Sequence, residues 1–456
     1  MITKDEAKTL IDTAVAEGTR AKVDGIEATV TAGNEATSRF ANNGMTQNMS
    51  PYQITLSVRV QTGGKQARMS TDVLTPEGIR AVVDNATRAA ALLEPDKDML
   101  PLPEPEPAGT VRDTNRFDDA TAAFTPQQRA DQIAKMVAVA NDRGLTSAGV
   151  FQTGSSVIAI GNSKGLFRFH RQTTGHCSVT MKYVDKATGN ESTGWAMAQS
   201  PRVADIDAES MARRAADKAV ASANPVELPP GKYTVILEPA AVLDLLGYLW
   251  YQFAGTSHID KLSCFLGQVG KQVLGQNINV TDDVYHPLQS GEPFDGEGLQ
   301  RQMVHLVEHG VVSQLVHGRR SAKKMGVPAT GHGLQEPSGE GEMPVNIVFA
   351  GGNTSLDDMI KGTDRGILLT RVWYVREVDP TKMIVTGMTR DGTFLVENGA
   401  VKSGIKNFRF NESLLEMLNH VVAMGPSVRA AAAEGFPAVV PAMKVNNFNF
   451  ASVTRF

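Results

Sequence analysis

Apolar residues recur along the first half of the chain with two different spacings. In four stretches they lie three and four residues apart, which is the spacing of one face of an α-helix. These predicted helices are residues 3–18, 76–94, 125–143 and 205–223. Shorter runs in which apolar and polar residues alternate predict β-strands. These predicted strands are residues 26–32, 53–61, 147–153, 156–162, 166–172, 177–185 and 191–198. The first half is therefore expected to form an α+β domain.

The second half of the chain is richer in short β patterns. Its predicted strands are residues 302–306, 311–316, 345–350, 366–375, 383–390 and 392–397, and its predicted helices are residues 355–361 and 413–423. Three prolines and a glycine in residues 223–233 indicate a domain boundary. We therefore expect an N-terminal α+β domain over residues 1–225 and a mostly β, barrel-like C-terminal domain over residues 226–456. A proline-rich connector at residues 98–109 is expected to be extended and exposed.

A further helix is predicted directly after the apolar strand at residues 235–237. Pro239 suits the first turn of a helix, and Gly255 is its expected end. The apolar residues at helical spacing are Val242, Leu245, Leu246, Leu249 and Phe253. Gly247 lies in the interior of this helix, where glycine is about 1 kcal/mol less favourable than alanine. We therefore expect a close packing contact at Gly247.

Composition narrows the possible classes of function. The chain has 456 residues, of which 41% are hydrophobic and 21% charged, as in soluble globular proteins with more than one domain. The net charge of -4 and the short basic cluster at residues 319–324, expected to be solvated surface, argue against nucleic-acid binding. Two cysteines, Cys177 and Cys264, indicate reduced thiols in a cytoplasmic protein. Neither a signal peptide nor a membrane span is expected, because no sufficiently long apolar segment occurs.

Several motifs occur in a fixed order in the chain. They are SRFANNGMTQN at residues 38–48, FDGEG at 294–298, EHGVVSQLVHGRRSAKKMG at 308–326, PATGHG at 328–333, the run from 366 to 387, and FLVENGAV at 394–401. Together they resemble the signature of the TldD/TldE family, whose TldE members are also called PmbA and which carries the older name modulator of DNA gyrase. The resemblance covers nearly the whole chain and depends on no single motif.

This resemblance implies a peptide-cleaving complex. In the family, TldD and TldE pair into a zinc metalloprotease that processes or degrades unstructured peptides, and TldD carries the zinc on a His-Glu-x-x-x-His helix and a cysteine near its C-terminus. Here Gly247, Tyr248 and Gln252 occupy roughly the positions of the two histidines and the glutamate, and the last cysteine is Cys264. The chain therefore resembles TldE. The resemblance implies no cofactor in this chain, zinc in a TldD-like partner, and either a heterodimer or a homodimer.

Two other groups of residues are candidates for a functional site. His305, Glu308 and His309 have the His-x-x-Glu-His spacing of some zinc proteases. The surrounding apolar residues favour a strand, on which the two histidines would lie about 13 Å apart, too far for one metal ion. Thr330, Gly331 and His332 form a glycine-flanked loop that could approach a peptide closely. The competing interpretation is a histidine that hydrogen-bonds the backbone.

Three functions therefore remain open at this point. The favoured one is a metal-free subunit that shapes the peptide channel of a TldD-type protease. A homodimeric peptide-binding protein would use the same exposed strand edges. A self-sufficient metallopeptidase would use His305, Glu308 and His309. A role at DNA is weaker than all three, because no basic stripe occurs.

Overall fold

The computed structural model describes residues 1–106, 112–431 and 436–454 and forms three β-sheets with helices packed on them. The α+β fold class predicted from the sequence is confirmed. The proline-rich connector contains neither helix nor strand up to residue 106, but Leu102 is buried, so this part is not fully exposed as predicted. Its last three residues, 107–109, lie outside the described residues. None of the helices in the described part of the chain combines the length and the apolar composition that a bilayer crossing needs.

The N-terminal sheet has seven strands in the order β4-β3-β1-β5-β6-β7, with β2 paired to β1. The strands are β1 Gly25–Ala41, β2 Gly44–Met49, β3 Tyr52–Thr62, β4 Lys65–Thr71, β5 Thr146–Asn162, β6 Phe167–Val184 and β7 Glu191–Ser200. β5 and β6 are each one strand where the sequence predicts two. Gly154 and Gly175 lie within paired strands and are not turns. A side chain at Gly154 would come within 2.9 Å of the backbone oxygen of Asn34, so glycine here permits close strand pairing.

The helices of the first half that the structure describes lie on one face of this sheet. They are α1 Lys4–Arg20, α2 Pro76–Ala91, α3 Asp119–Ala122, α4 Pro126–Asp142 and α5 Ala208–Ala221. On this face of the sheet, the even-numbered residues of β1 and the odd-numbered residues of β5 and β6 pack against the helices and form part of the apolar core. Among them are Ala28, Val30, Phe40, Phe151, Ala159, Cys177, Val179 and Met181. Because side chains alternate along a strand, the residues between them point to the opposite, helix-free face.

Two further sheets and one large apolar core make up the second half. One sheet has the order β11-β10-β9-β12-β19-β18, and the other has the order β13-β8-β20-β16-β14-β15, with β17 paired to β20. The strands are β8 Gly231–Leu237, β9 Val280–Asp282, β10 Val304–Glu308, β11 Val311–Val312, β12 Ile347–Phe349, β13 Arg365–Asp379, β14 Ile384–Glu397, β15 Ala400–Gly404, β16 Phe408–Ser413, β17 Val421–Met424, β18 Val428–Ala430, β19 Ala438–Val440 and β20 Met443–Val453. β13 also pairs with β14, so the pairings β13-β8-β20-β16-β14 return to β13. The barrel-like shape stays a prediction.

The helix predicted after β8 is shorter than expected. It is α-helical only over α6 Pro239–Leu246 and continues as a 3₁₀ segment over Gly247–Phe253, and Gly255 begins the next helix, α7 Gly255–Ile259. The prediction of a single helix ending at Gly255 is therefore wrong. The 3₁₀ segment ends with the hydrogen bond typical of that helix type, in which the N–H of Ala254 donates to the backbone oxygen of Tyr251 three residues back. The remaining helices are α8 Arg319–Met325, α9 Leu356–Lys361 and α10 Leu414–Asn419.

Candidate functional site

Gly247, Tyr248 and Gln252, the residues compared above with a zinc-binding helix, lie in the 3₁₀ segment that directly follows α6. Gly247 is exposed, and a Cβ placed on it would have no heavy atom within 4 Å. The close packing contact expected there is therefore absent, and the prediction is wrong. The Tyr248 hydroxyl donates to the backbone oxygen of Val375 over 2.6 Å. The buried Gln252 side chain accepts from the N–H of Cys264 over 2.9 Å. Both side chains thus make hydrogen bonds within the protein.

The glycine-flanked loop places its histidine in the interior. His332 Nε2 lies 3.0 Å from Asp282 Oδ1, and both side chains are fully buried. Its Nδ1 shares a hydrogen bond with Thr330 Oγ1 over 2.9 Å. At Gly331, φ is +70° and a Cβ would come within 2.2 Å of the Gln300 oxygen, so the turn requires glycine. His332 therefore contacts a carboxylate rather than the backbone, and it has no exposed surface to offer a peptide in this conformation.

Asp282 ends strand β9 and joins it to this loop. Burial by itself raises the pKa of its carboxyl group, but His332, Arg301 and the N–H of Asn346 outweigh burial and hold the pKa below its ordinary value. Asp282 is therefore an ionised group in the core at neutral pH. A buried charge of this kind is stable only because it is paired and hydrogen-bonded.

Two buried carboxylates of the FDGEG motif connect this loop to the rest of the molecule. Asp295 accepts N–H groups of Glu297 and Leu299 on one oxygen and that of Gly333 on the other, over 2.8 to 3.0 Å. Glu297 pairs with Arg319 over 3.0 Å. Burial raises the pKa of Glu297 to about 7, with Arg319 opposing the shift. The motif is thus engaged in linking chain segments.

The sequence predicted that the basic cluster at residues 319–324 is solvated surface, but in the structure three of its side chains form ion pairs. It lies on α8, where Arg319 pairs with Glu297, and Arg320 lies 2.7 Å from Asp96. Lys324 approaches Asp98 to 2.6 Å. The contacts of Arg320 and Lys324 join α8 to the segment that follows α2, so the cluster links the two halves.

The alternative metal-binding triplet lies in a strand and a turn. His305 and Glu308 belong to β10, whereas the predicted strand, residues 302–306, includes only His305, and His309 follows with φ at +49°. His305 Nδ1 is 3.7 Å from Glu308 Oε1, because the strand is irregular between His305 and Val307. Both side chains are about half exposed. Within the described ranges, no set of three or more His, Cys, Asp or Glu residues is arranged to hold a metal ion.

A cleft of about 800 Å³ crosses the helix-free face of the N-terminal sheet, and sequence reasoning missed it. It is bounded by strands β1, β3, β5 and β6, with Gln199 of β7 and Glu292 of the second half. The side chains that alternate with the core positions are almost all polar. They are Thr31, Glu35, Thr37, Arg39, Gln53, Thr55, Gln152, Ser156, His170, Gln172, Thr174 and His176. The available signal was this alternation of apolar and polar residues, which predicts a strand with one solvated face.

Comparison with known proteins places this arrangement in a family. Residues 115–223 match the PmbA/TldA metallopeptidase central domain, and residues 230–452 match the PmbA/TldA metallopeptidase C-terminal domain. The chain belongs to the PmbA/TldD metallopeptidase family. The domain boundary predicted near residue 225 lies between the two matched ranges.

Relatives within the PmbA/TldD family match along most of their length. The metalloprotease PmbA of Escherichia coli O157:H7 is 24% identical over 431 residues, covering 89% of this chain and 88% of that protein. The metalloprotease PmbA homolog of Haemophilus influenzae is 26% identical, covering 91% and 88%. The crystal structure of TldE from Thermococcus kodakarensis shares the fold with a TM-score of 0.88 at 20% identity, covering 97% of this chain and all of that one.

The three residues compared with a zinc-binding helix lack the side chains that usually hold zinc. Gly247 has no side chain, and Tyr248 and Gln252 are engaged in hydrogen bonds within the protein. The nearby Cys264 has its thiol pKa raised to about 12 by burial, so it is not a thiolate at neutral pH. These residues do not fit a zinc site of the His-Glu-x-x-x-His type, because zinc prefers imidazole, thiolate and carboxylate ligands.

Proposed function

We propose that this chain is the metal-free, TldE-like subunit of a TldD/TldE-type zinc metalloprotease that processes or degrades unstructured peptides. The observation that carries the proposal is the state of the zinc-helix positions. Gly247 offers no ligand, and Tyr248 and Gln252 hold neighbouring chain segments. A TldD-like partner would supply the zinc, and this chain would shape the chamber in which the peptide is held.

The division of binding and catalysis between this chain and its partner follows from what a zinc protease needs to hydrolyse a peptide bond. A zinc protease needs a metal with an open coordination position and a nearby general base. A subunit without these groups can still contribute by binding and orienting an extended substrate, and this is what exposed strand edges and polar clefts do. The proposal therefore assigns binding to this chain and chemistry to its partner. The alternative is that the partner is a second copy of this chain, and the result is then a peptide-binding homodimer without protease activity.

Elemental analysis and a peptidase assay test this proposal together. The purified chain would be assayed for zinc and for cleavage of fluorescein-labelled casein, alone and mixed with a TldD-type partner. The matched control is the same partner with the first histidine of its His-Glu-x-x-x-His helix replaced by alanine. We expect no stoichiometric zinc in this chain, and cleavage only in the mixture with the intact partner.

The other candidate functions predict different results. Binding of casein without cleavage in any mixture, together with a dimeric mass for the chain alone, would favour the peptide-binding homodimer. Stoichiometric zinc and cleavage by the chain alone would contradict the proposal. If the variant His305→Ala then lost both zinc and activity, the metal site would be His305, Glu308 and His309.

A further inference from the structure

The dipeptide Asn-Gly occurs twice in the sequence, once in each half of the molecule. Asn43 and Gly44 belong to the SRFANNGMTQN motif, and Asn398 and Gly399 belong to the FLVENGAV motif. Asparagine is a thermally labile residue, and it reacts most readily before glycine, where no Cβ hinders approach to the following backbone nitrogen. Each pair lies at the turn of a β-hairpin. The folded structure therefore decides whether each asparagine reacts.

The side chain of Asn43 is held at both atoms of its amide group. Its Nδ2 donates to Asn141 Oδ1 over 2.9 Å and to the backbone oxygen of Leu145 over 2.8 Å. Its Oδ1 accepts from the backbone N–H and from the hydroxyl of Ser147 over 2.6 and 2.8 Å. These hydrogen bonds tie the turn between β1 and β2 to the segment that joins α4 to β5. The side chain of Asn43 cannot rotate without breaking them.

The side chain of Asn398 lacks such contacts. Asn398 is exposed, and its amide group makes no hydrogen bond to any residue that the structure describes. With Gly399 it forms the turn between β14 and β15, and φ is +50° and +72° at the two residues, as in two-residue Asn-Gly hairpin turns. The N–H of Gly399 donates to the backbone oxygen of Thr363 over 3.0 Å. One backbone hydrogen bond therefore has to open before the nitrogen of Gly399 can approach the side chain.

We propose that Asn398 is a site of spontaneous deamidation in the folded protein, and that the four side-chain hydrogen bonds of Asn43 protect it from the same reaction. This modification goes beyond the proposed function and requires neither a partner nor a substrate.

The reaction needs only water and a base in solution. The N–H of Gly399 leaves Thr363 and loses its proton, and the nitrogen then attacks Asn398 Cγ. The new C–N bond closes a five-membered succinimide ring, and the side-chain nitrogen leaves as ammonia. Water then adds to one of the two ring carbonyl carbons and breaks the bond from that carbon to the ring nitrogen. Opening at Cγ gives aspartate, and opening at the main-chain carbonyl gives isoaspartate, so one water is consumed for each ammonia released.

Both products change the surroundings of the turn. They place a new carboxylate directly after Glu397, and isoaspartate also lengthens the main chain by one carbon atom. The turn packs closely on the C-terminal end of α9, because a Cβ on Gly399 would come within 2.7 Å of the backbone oxygen of Lys361. A longer main chain moves the N–H of Gly399 away from Thr363. Conversion should therefore loosen the contact between this hairpin and α9.

Peptide mapping by mass spectrometry, after incubation of the full chain at pH 8, tests the proposal. The mass increase of amide-to-acid conversion and labelling by an isoaspartate methyltransferase identify the converted residue. We expect conversion at Asn398 at least about tenfold faster than at Asn43, because each additional hydrogen bond that has to break slows the reaction roughly fivefold. Synthetic peptides of residues 395–401 and 40–46 are the matched controls and should convert at similar rates, since neither has the folded structure.

A variant examines the protection of Asn43. Asn141→Ala removes one acceptor of the Asn43 amide, and Asn141 is exposed, so the fold should be kept. Conversion at Asn43 should become about fivefold faster, with no change at Asn398. Asn353→Ala, at another exposed asparagine, is the control and should change neither rate. An unchanged rate at Asn43 in Asn141→Ala would contradict protection by these hydrogen bonds.

The remaining outcomes decide the fate of Asn398. Conversion at Asn43 that is as fast as at Asn398 in the folded chain overturns the proposal. An intact Asn398 at a time when its peptide has fully reacted overturns it as well. The converted chain, separated by anion exchange, should show faster hydrogen exchange at residues 361–366, and unchanged exchange there would refute the loosening of the hairpin. Zinc content and casein cleavage are measured on freshly purified chain, so none of these results alters the test of the proposed function.

Discussion

Replacing Glu297 by glutamine should change how the stability of this protein depends on pH. Glu297 is 5% exposed, lies 3.0 Å from Arg319, and is close to the second buried carboxylate, Asp295. Burial, and to a lesser extent Asp295, disfavours its ionised form more strongly than Arg319 favours it. Glutamine has nearly the same shape and can still accept a hydrogen bond from Arg319, but it does not ionise.

The sign and size of the effect follow from the two pKa values of Glu297. The ordinary value is 4.5, and the value in the folded protein is about 7. Between these values the unfolded chain has lost the proton that the folded protein keeps, so stability falls as pH rises through this window. At 1.36 kcal/mol per pH unit the loss approaches about 3 kcal/mol above pH 7. The variant Glu297→Gln lacks this loss and should be more stable than the wild type at pH 8 by about that amount.

Urea unfolding of both proteins at pH 5 and at pH 8 measures the effect. The difference in free energy of unfolding between variant and wild type should be small at pH 5 and should grow by about 2 to 3 kcal/mol at pH 8. Taking this difference removes the contributions of other titrating groups, such as His317, whose pKa burial lowers to about 4. Glu308→Gln, at a half-exposed glutamate, is the control and should show no such change. A difference between Glu297→Gln and wild type that stays constant from pH 5 to pH 8 would refute the assigned shift.

Three further predictions concern single residues elsewhere in the second half and in the N-terminal sheet. Gly247→Ala should raise the free energy of unfolding by about 0.5–1 kcal/mol, because Gly247 has helical backbone angles and open space around it. Gly255→Ala should lower the free energy of unfolding, because a Cβ there would come within 2.3 Å of the buried imidazole of His317. Urea unfolding of the two variants measures this difference. Asp282→Asn should destabilise the protein by about 3–5 kcal/mol by removing one partner of the buried pair with His332, and equal stability of variant and wild type would contradict that pairing. Cys177 should resist iodoacetamide at pH 8 until the protein unfolds, because burial raises its pKa to about 12, and rapid labelling of the native protein, followed by mass spectrometry, would argue against this burial.

The sequence predicted the fold best where the pattern is local. The helices α1, α2, α4 and α5 are confirmed to within a few residues, since each combines an apolar stripe with a start signal such as Thr125 before Pro126. The strands β5 and β6 were divided in two because a glycine in mid-strand resembles a turn. Whether such a glycine bends the chain or admits a neighbouring backbone depends on strand pairing, which involves residues more than 100 positions away. The residues next to such a glycine in the sequence therefore do not show whether it forms a turn or lies within a paired strand.

The candidate site was predicted less well, for a related reason. The identity of Gly247, Tyr248 and Gln252 is visible in the sequence, but their hydrogen bonds to Val375 and Cys264 are not. His332 was a loop histidine in the sequence and is a buried partner of Asp282 in the structure, across a separation of 50 residues. Contacts of this range arise from packing of whole sheets, so no spacing rule predicts them.

Two carboxylates of the FDGEG motif make structural contacts in this chain. Asp295 of the FDGEG motif fixes the loop that contains Gly333, and Glu297 fixes α8 through Arg319. Arg68 of the N-terminal sheet donates to the backbone oxygen of Glu336 over 2.7 Å and so joins the first half to the second. The first two contacts lie within the second half, and the third joins the two halves. Strong resemblance in such motifs therefore indicates a shared fold, whereas the chemistry of a site is argued from its own side chains, here those at positions 247, 248 and 252 in the 3₁₀ segment.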